Sequence, residues 1–204
     1  MQLFGITGGI GSGKSTVAHA LQQLGYNVYY TDCEAQRIIN HNDKVRKQIE
    51  LLFGKDIYIN NTFDKQKVAK LVFNNTQLLL KLNAVVHPAV IEDIKLWSQK
   101  QHDIAFVESA IIFESGINQI CKAVINIAAP LQTRIQRTVI RDHTTPQRVI
   151  KRINNQMPDH IRAQLADLNL NNNDNTQLSQ LCLDILKFCR GAAVLPCLAR
   201  GRSV

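Results

Sequence analysis

A run of eight residues near the start constrains this chain more than any other feature. Gly8-Gly9-Ile10-Gly11-Ser12-Gly13-Lys14-Ser15 fits G-x-x-x-x-G-K-[ST], the pattern of a phosphate-binding loop. Glycines adopt backbone conformations closed to other residues and leave room for phosphates. Successive N–H groups then point into one concavity at a helix N-terminus, where an anion is favoured. Lys14 brings positive charge to the β- and γ-phosphates, and the Ser15 hydroxyl can bind Mg²⁺. The bland alternative is a glycine-rich turn with an incidental lysine. A dinucleotide loop does not fit. Gly9, Gly11 and Gly13 give G-x-G-x-G, not G-x-G-x-x-G, and that fingerprint has no role for a Lys-Ser pair. The nucleotide-binding residues expected are Gly8, Gly9, Gly11, Ser12, Gly13, Lys14, Ser15 and Thr16.

The surroundings agree with that reading. Residues 2–6 form a short apolar run that predicts a buried strand. After Lys14, the spacing of Val17, Ala18, Leu21 and Leu24 predicts a helix, with Gly25 as its stop. Residues 27–31 (NVYYT) predict a second strand, so the chain opens as strand-loop-helix-strand, the start of a parallel α/β sheet. Residues 34–53 predict one helix and 57–62 a break, with Thr62 as a cap for the segment holding Val68, Leu71 and Val72. Helices are then predicted over 78–86 and 90–100, with His87-Pro88 as a kink or joint. So much helix is too long for a simple crossover and implies an insertion beside the sheet. Residues 104–107 and 123–128 predict buried parallel strands. Pro130 opens a helix running to about Asp142, and Thr145-Pro146 starts another. A last short strand (168–170), a loop (171–175) and a helix (178–188) follow, and no pattern is visible after Gly191.

Composition narrows the class without choosing the function. Hydrophobic residues make up 45% and charged residues 20% of 204, which excludes a disordered chain. The net charge of +8 favours anionic partners. Aromatics are only 6% and no nucleic-acid motif is present, so no nucleic-acid partner is expected. No apolar run is long enough to span a bilayer, and no secretory signal opens the chain, so a cytoplasmic protein without a membrane partner is expected. The cysteines, Cys33, Cys121, Cys182, Cys189 and Cys197, include no C-x-x-C pair and read as mostly buried thiols in a reducing compartment. The oligomeric state is left open.

Other residues suggest chemistry. Asp32 follows the second strand, at the sheet edge where ligands bind, and could serve as general base to an attacking hydroxyl or as an N-cap. Glu108 follows the third strand with Glu114 beyond it; one could assist Mg²⁺ through water, or both could be surface carboxylates. Arg134, Arg137 and Arg141 share one helix face, and Arg148 and Arg152 share a face of the next. Arginine suits phosphoryl charge, so these helices read as a lid over the nucleotide, against the alternative of a solvated basic face. His87 reads as structural or as a substrate contact, not as the base.

Taken together, these pieces resemble the dephospho-coenzyme A kinases. The opening LFGITGGIGSGKSTVA is similar to that family's N-terminal signature, as is a strand ending in Asp32 followed by a helix with Ala35 and Arg37. His87-Pro88-Ala89-Val90 resembles H-P-x-V, and the run from Ser109 to Glu114 resembles P-L-L-F-E. Arg137, Arg141 and the run from Arg152 to Gln156 fit R-x-x-x-R and R-I-x-x-Q, and Ala166-Asp167 with Asn171 fits A-D-x-x-I-x-N. The sequence departs from the family at Tyr30, Ala110 and Glu108, where an acidic residue, proline and aspartate are common.

The resemblance implies an α/β, P-loop NTPase-type three-layer fold with a parallel sheet, a helical substrate-binding insertion and a helical lid. It implies a core of residues 1–33, 101–136 and 157–190, an insertion over 34–100, a lid over 137–156 and a tail over 191–204. It implies transfer of the γ-phosphoryl of ATP, with Mg²⁺, to the ribose 3′-hydroxyl of dephospho-coenzyme A, the last step of coenzyme A synthesis. Asp32, Lys14, Arg137 and Arg141 would then be catalytic, Asp32 and His87 would contact the acceptor, and Ser15 would bind the metal. The alternative is another small-metabolite or nucleoside-monophosphate kinase with the same loop and a different acceptor.

Overall fold

A computed structural model describes residues 1–73 and 75–194 of the chain. In chain order the elements are β1 (Gln2–Thr7), α1 (Lys14–Gln23), β2 (Asn27–Tyr30), α2 (Thr31–His41), α3 (Asp43–Phe53), β3 (Tyr58–Ile59), β4 (Thr62–Phe63), α4 (Lys65–Val72), α5 (Thr76–Ser98), β5 (Ile104–Glu108), β6 (Ala123–Ala128), α6 (Leu131–Asp142), α7 (Pro146–Asn154), α8 (Asp159–Leu165), β7 (Leu168–Asn171) and α9 (Leu178–Val194). Five strands form a parallel sheet in the order β2-β5-β1-β6-β7. β1 is central, and Leu3 and Phe4 pair with Ala105 and Phe106 of β5.

Strand alternation sends side chains to two cores. Phe4, Ile6, Phe106, Ile125 and Ile127 meet Val17 and Leu21 of α1 and Leu181 and Ile185 of α9. Leu3, Tyr29, Ala105, Val107 and Val124 face the other way, against Ile38, Ile49, Val90 and Ile94 of α2, α3 and α5. The result is three layers, helix-sheet-helix. The insertion helices pack directly on the sheet and share its core. Tyr29 also pins them by polar contact: its hydroxyl donates to Asp93 of α5 (2.6 Å), which accepts from Arg37 of α2 (2.7 Å).

Gly25 ends α1 as expected. Tyr26 N–H donates to Leu21 O (3.1 Å) and Gly25 N–H to Gln22 O (3.0 Å), with Gly25 at φ +91°. β6 has the expected bounds, and the other sheet strands lie within a residue or so of theirs.

Several details differ from expectation. The helix expected over 34–53 is two helices, because the Asn42 side chain accepts from the N–H groups of Lys44 and Val45 and caps a new start. The break at 57–62 is a two-residue hairpin, β3-β4, turned by Asn60 and Asn61 at positive φ. Asp64, not Thr62, caps the helix that follows, accepting from Lys67 N–H. His87-Pro88 joins no separate helices: Pro88 lies inside the 23-residue α5. There Val86, Val90 and Ile94 are anchored in the core on both sides of the proline, which offsets the lost backbone bond. Pro130 is the N-cap residue of α6, so its helix begins one residue later. α8 was not expected; its seven residues are too few to show a period. α9 runs past 188 and 191 to Val194, and the rest of the expected tail, with Cys197, lies outside the described residues. Cys182 and Cys189 are buried, Cys121 is half-buried with its thiol pushed up to about 12 by burial, and Cys33 is exposed in the first turn of α2, contrary to the expectation of mostly buried thiols for that residue. Among the described residues, no helix is long and apolar enough to cross a membrane.

Candidate active site

The loop leaves the C-terminal end of β1 between its neighbours β5 and β6 and enters α1 at Gly13, which has φ +90°. The first-turn N–H groups of α1, at Lys14, Ser15 and Thr16, have no intrahelical partner and are available to an anion. The loop is held from outside. Ile10 N–H donates to Gln156 Oε1 (2.8 Å), Arg134 Nε donates to Ile10 O (2.8 Å), and Asn172 Nδ2 donates to Ser12 O (2.8 Å). Around it the buried hydroxyls of Thr7, Ser12 and Thr138 have no hydrogen-bond partner among the described residues, so hydrogen-bonding capacity there is unused.

Just inside α1, Ser15 Oγ donates to Glu108 Oε1 (3.0 Å), and Lys14 Nζ stands 3.6 Å from the same oxygen. Glu108, at the tip of β5, is only 5% exposed. Burial raises its pKa, against the pull of Lys14 and the Ser15 hydrogen bond, and the Asp32 charge raises it further. Of the two carboxylates considered from sequence, Glu108 is therefore the one beside Lys14 and Ser15. Glu114 is exposed, and its charge acts instead on His87.

Asp32 is the second residue of α2, whose N-cap is Tyr30. The capping alternative for Asp32 fails, because the helix begins before it. An acidic residue here still lies in a first turn, where the helix dipole favours its charge. Asp32 is exposed and lines a cavity of about 220 Å³ that His87 and Ser109 also line, walled by Ile39, Leu82 and Val86. Burial lowers the His87 pKa against the Glu114 charge, which favours a neutral imidazole. The Tyr30 hydroxyl donates to Gln22 Oε1 (3.1 Å) and its ring stacks on His19.

The arginines divide by environment. Arg134 is 2% exposed and pairs with Asp159, so it does not belong to a solvated face. Arg137 Nη1 donates to Asn172 O (3.0 Å) and Nη2 to Asp174 Oδ1 (2.9 Å), beside the loop-holding Asn172. Arg141 and Arg152 share Asp142, at 2.7 and 2.6 Å, and hold its carboxyl well below the usual range. They thus tie α6 to α7. Arg148 is exposed. Sequence reasoning missed Arg134 and Asn172 as loop supports and gave Gln156 no role; the shared helix face of Arg134, Arg137 and Arg141, the run from Arg152 to Gln156 and the match at Asn171 pointed near them without marking a contact to the loop.

A phosphate cradle after the central strand of a parallel sheet, a lysine and a hydroxyl against a buried carboxylate, and an acid beside a separate cavity together define a P-loop kinase. The particular family follows from comparison with known proteins. A family model described as dephospho-CoA kinase matches residues 2–177. The dephospho-CoA kinase of Bacteroides fragilis is 32% identical over 186 residues, covering 90% of this chain and 91% of that protein. That of Porphyromonas gingivalis is 38% identical over 154 residues, covering 75% and 76%. The crystal structure of a Thermus thermophilus protein superposes with TM-score 0.78 at 31% identity, covering 96% and 98%. This chain belongs to the dephospho-CoA kinase family.

Proposed function

We propose that the chain transfers the γ-phosphoryl group of ATP to the ribose 3′-hydroxyl of dephospho-CoA, giving coenzyme A and ADP, the last step of coenzyme A synthesis. The observation that carries the assignment of roles is that Asp32 lines the cavity shared with His87, at the same sheet edge as the cradle. The acceptor occupies that cavity, its apolar walls bearing on the ring and pantetheine parts and His87 contacting it as a neutral donor and acceptor. The insertion over 34–100 holds the acceptor, and the helices over 137–156 close as a lid.

Catalysis is positioning and charge stabilisation. Gly8, Gly9, Gly11, Ser12, Gly13, Lys14, Ser15 and Thr16 hold the triphosphate. Asp32 takes the proton of the 3′-hydroxyl; the hydroxyl oxygen bonds to the γ-phosphorus while the bond to the β–γ bridging oxygen breaks, and ADP departs with that electron pair. Lys14, Arg137 and Arg141 balance the charge on the moving group, Arg141 after leaving Asp142. The Ser15 hydroxyl and the Glu108 carboxylate are hard oxygen donors next to the cradle and fit Mg²⁺, whose charge neutralises phosphate oxygens when bound. The absence of a membrane-spanning helix among the described residues is compatible with a cytoplasmic enzyme.

The test is to incubate purified protein with ATP, Mg²⁺ and dephospho-CoA. Mass spectrometry should show one added phosphate, located at the 3′ position. A product phosphorylated elsewhere, or no product beside turnover of a competing nucleoside monophosphate, removes this acceptor.

A further inference from the structure

The Ile10 backbone at the crown of the loop is gripped on both sides by side chains distant in sequence. Its N–H donates to Gln156 Oε1 at 2.8 Å, and its carbonyl accepts from Arg134 Nε at 2.8 Å. Both bonds are made at Ile10, ahead of α1, so neither uses the first-turn N–H groups at Lys14, Ser15 and Thr16. The supports are themselves fixed. Arg134 pairs through Nη1 with Asp159, and Asp159 also accepts from Arg162 Nη1 (2.7 Å), whose Nη2 donates to Met157 O (2.7 Å). Both arginine side chains are 2% exposed. A Cβ on Gly9 would come within 2.3 Å of Arg134 Nη2, so the loop lies flat against that guanidinium.

The short segment after α7, from Gln156 to Asp159, is therefore stapled beneath the phosphate cradle at successive points. Two residues before Gln156 ends the helix that carries Arg148 and Arg152.

We propose that Gln156 is a positioning residue for ATP: its side-chain carbonyl, together with Arg134, sets the curvature of the cradle by holding the Ile10 peptides, and it ties that curvature to the segment that follows α7. The proposal rests on the ATP-site reading given above, and it does not depend on which acceptor is used. The N–H of buried Ile10, stripped of its acceptor, relaxes toward other partners, and the loop moves with it. The effect belongs to the nucleotide side of the site, because the cavity lined by Asp32 and His87 is built from α2, α5 and the segment after β5.

Two variants separate positioning from bulk. Gln156→Met keeps length and volume and removes the acceptor; Gln156→Glu keeps an acceptor oxygen. Calorimetry with a non-hydrolysable ATP analogue, thermal melting, and steady-state kinetics with each substrate varied are the measurements. Gln156→Met should weaken analogue binding and raise KM for ATP by about tenfold, with acceptor KM within about twofold of wild type and the melting temperature retained. Gln156→Glu should recover binding to within about threefold of wild type. Wild-type analogue binding by Gln156→Met, or equal losses in both variants, overturns the proposal. If wild-type protein binds the analogue yet leaves dephospho-CoA unphosphorylated, the acceptor reading falls and the binding comparison still decides this one. Failure of wild type to bind the analogue overturns both.

Discussion

Two glycines with similar positive φ make a matched pair of perturbations. Gly25 has φ +91° and Gly11 has φ +77°. An alanine at either must adopt the left-handed conformation, which costs about 1–2 kcal/mol. At Gly25 nothing lies within 4 Å of an added Cβ, so this is the whole cost. Gly25→Ala should lower Tm by about 2–8 °C for a domain of this size and leave ATP kinetics unchanged. At Gly11 the added Cβ would stand 2.4 Å from the Arg134 carbonyl oxygen and 2.6 Å from Thr138 Oγ1. Carbon and oxygen normally keep about 3.3 Å or more, so the loop must retreat from α6 by about 1 Å. A displacement of about 1 Å in a positioned phosphate is worth about a hundredfold in rate. Gly11→Ala should therefore lose about a hundredfold in kcat/KM for ATP and melt below Gly25→Ala. Differential scanning fluorimetry and a coupled assay for ADP read both effects. Equal melting temperatures with normal ATP kinetics in Gly11→Ala would refute the claim that the loop is moulded against α6.

Three further expectations concern other parts of the molecule. Asp32→Asn should cut kcat by about a hundredfold or more with ATP affinity nearly unchanged; single-turnover and binding measurements test this, and near-normal turnover removes Asp32 from the mechanism. Glu108 is held above its ordinary value by burial, so the native state binds its proton more tightly than the unfolded chain does. The stability it contributes is full below the unfolded value of 4.5 and is lost as pH rises through the raised native value. Urea unfolding across that window should show wild type losing stability relative to Glu108→Gln as pH rises, and a pH-independent difference contradicts the assignment. Activity should run the other way, falling as pH drops and Glu108 loses its charge toward Lys14 and Ser15. Asn42→Ala removes the acceptor that caps α3 and should cost about 1 kcal/mol, read as a small drop in Tm; an unchanged Tm means that the cap is carried by other groups.

The parts of this protein legible in its sequence are those set by neighbours in the chain. Each position of the run from Gly8 to Ser15 has a local reason, and the apolar runs of β1, β5 and β6 reflect burial on both sheet faces. Asp32 was legible for the same reason, following the β-forming run 27–31 directly. The insertion could be seen as helical, but its breaks could not, because apolar spacing continues across Asn42 while one amide side chain ends the helix. Pro88 shows the reverse: a local break signal overruled by the burial of Val86, Val90 and Ile94 around it.

What the sequence hides is every support that reaches across the fold. Arg134, Gln156 and Asn172 lie 124, 146 and 160 residues from the loop atoms they hold. The same chemical types occur on exposed helix faces elsewhere in the chain, and nothing local marks these as buried or facing inward. Glu108 and Glu114 are alike on paper, and only the pairing of β5 with β1 puts the first against Lys14 and Ser15. Chain-local stereochemistry and hydrophobic spacing determine that a phosphate cradle forms; packing of distant segments against it decides how the cradle is shaped and which charges it meets.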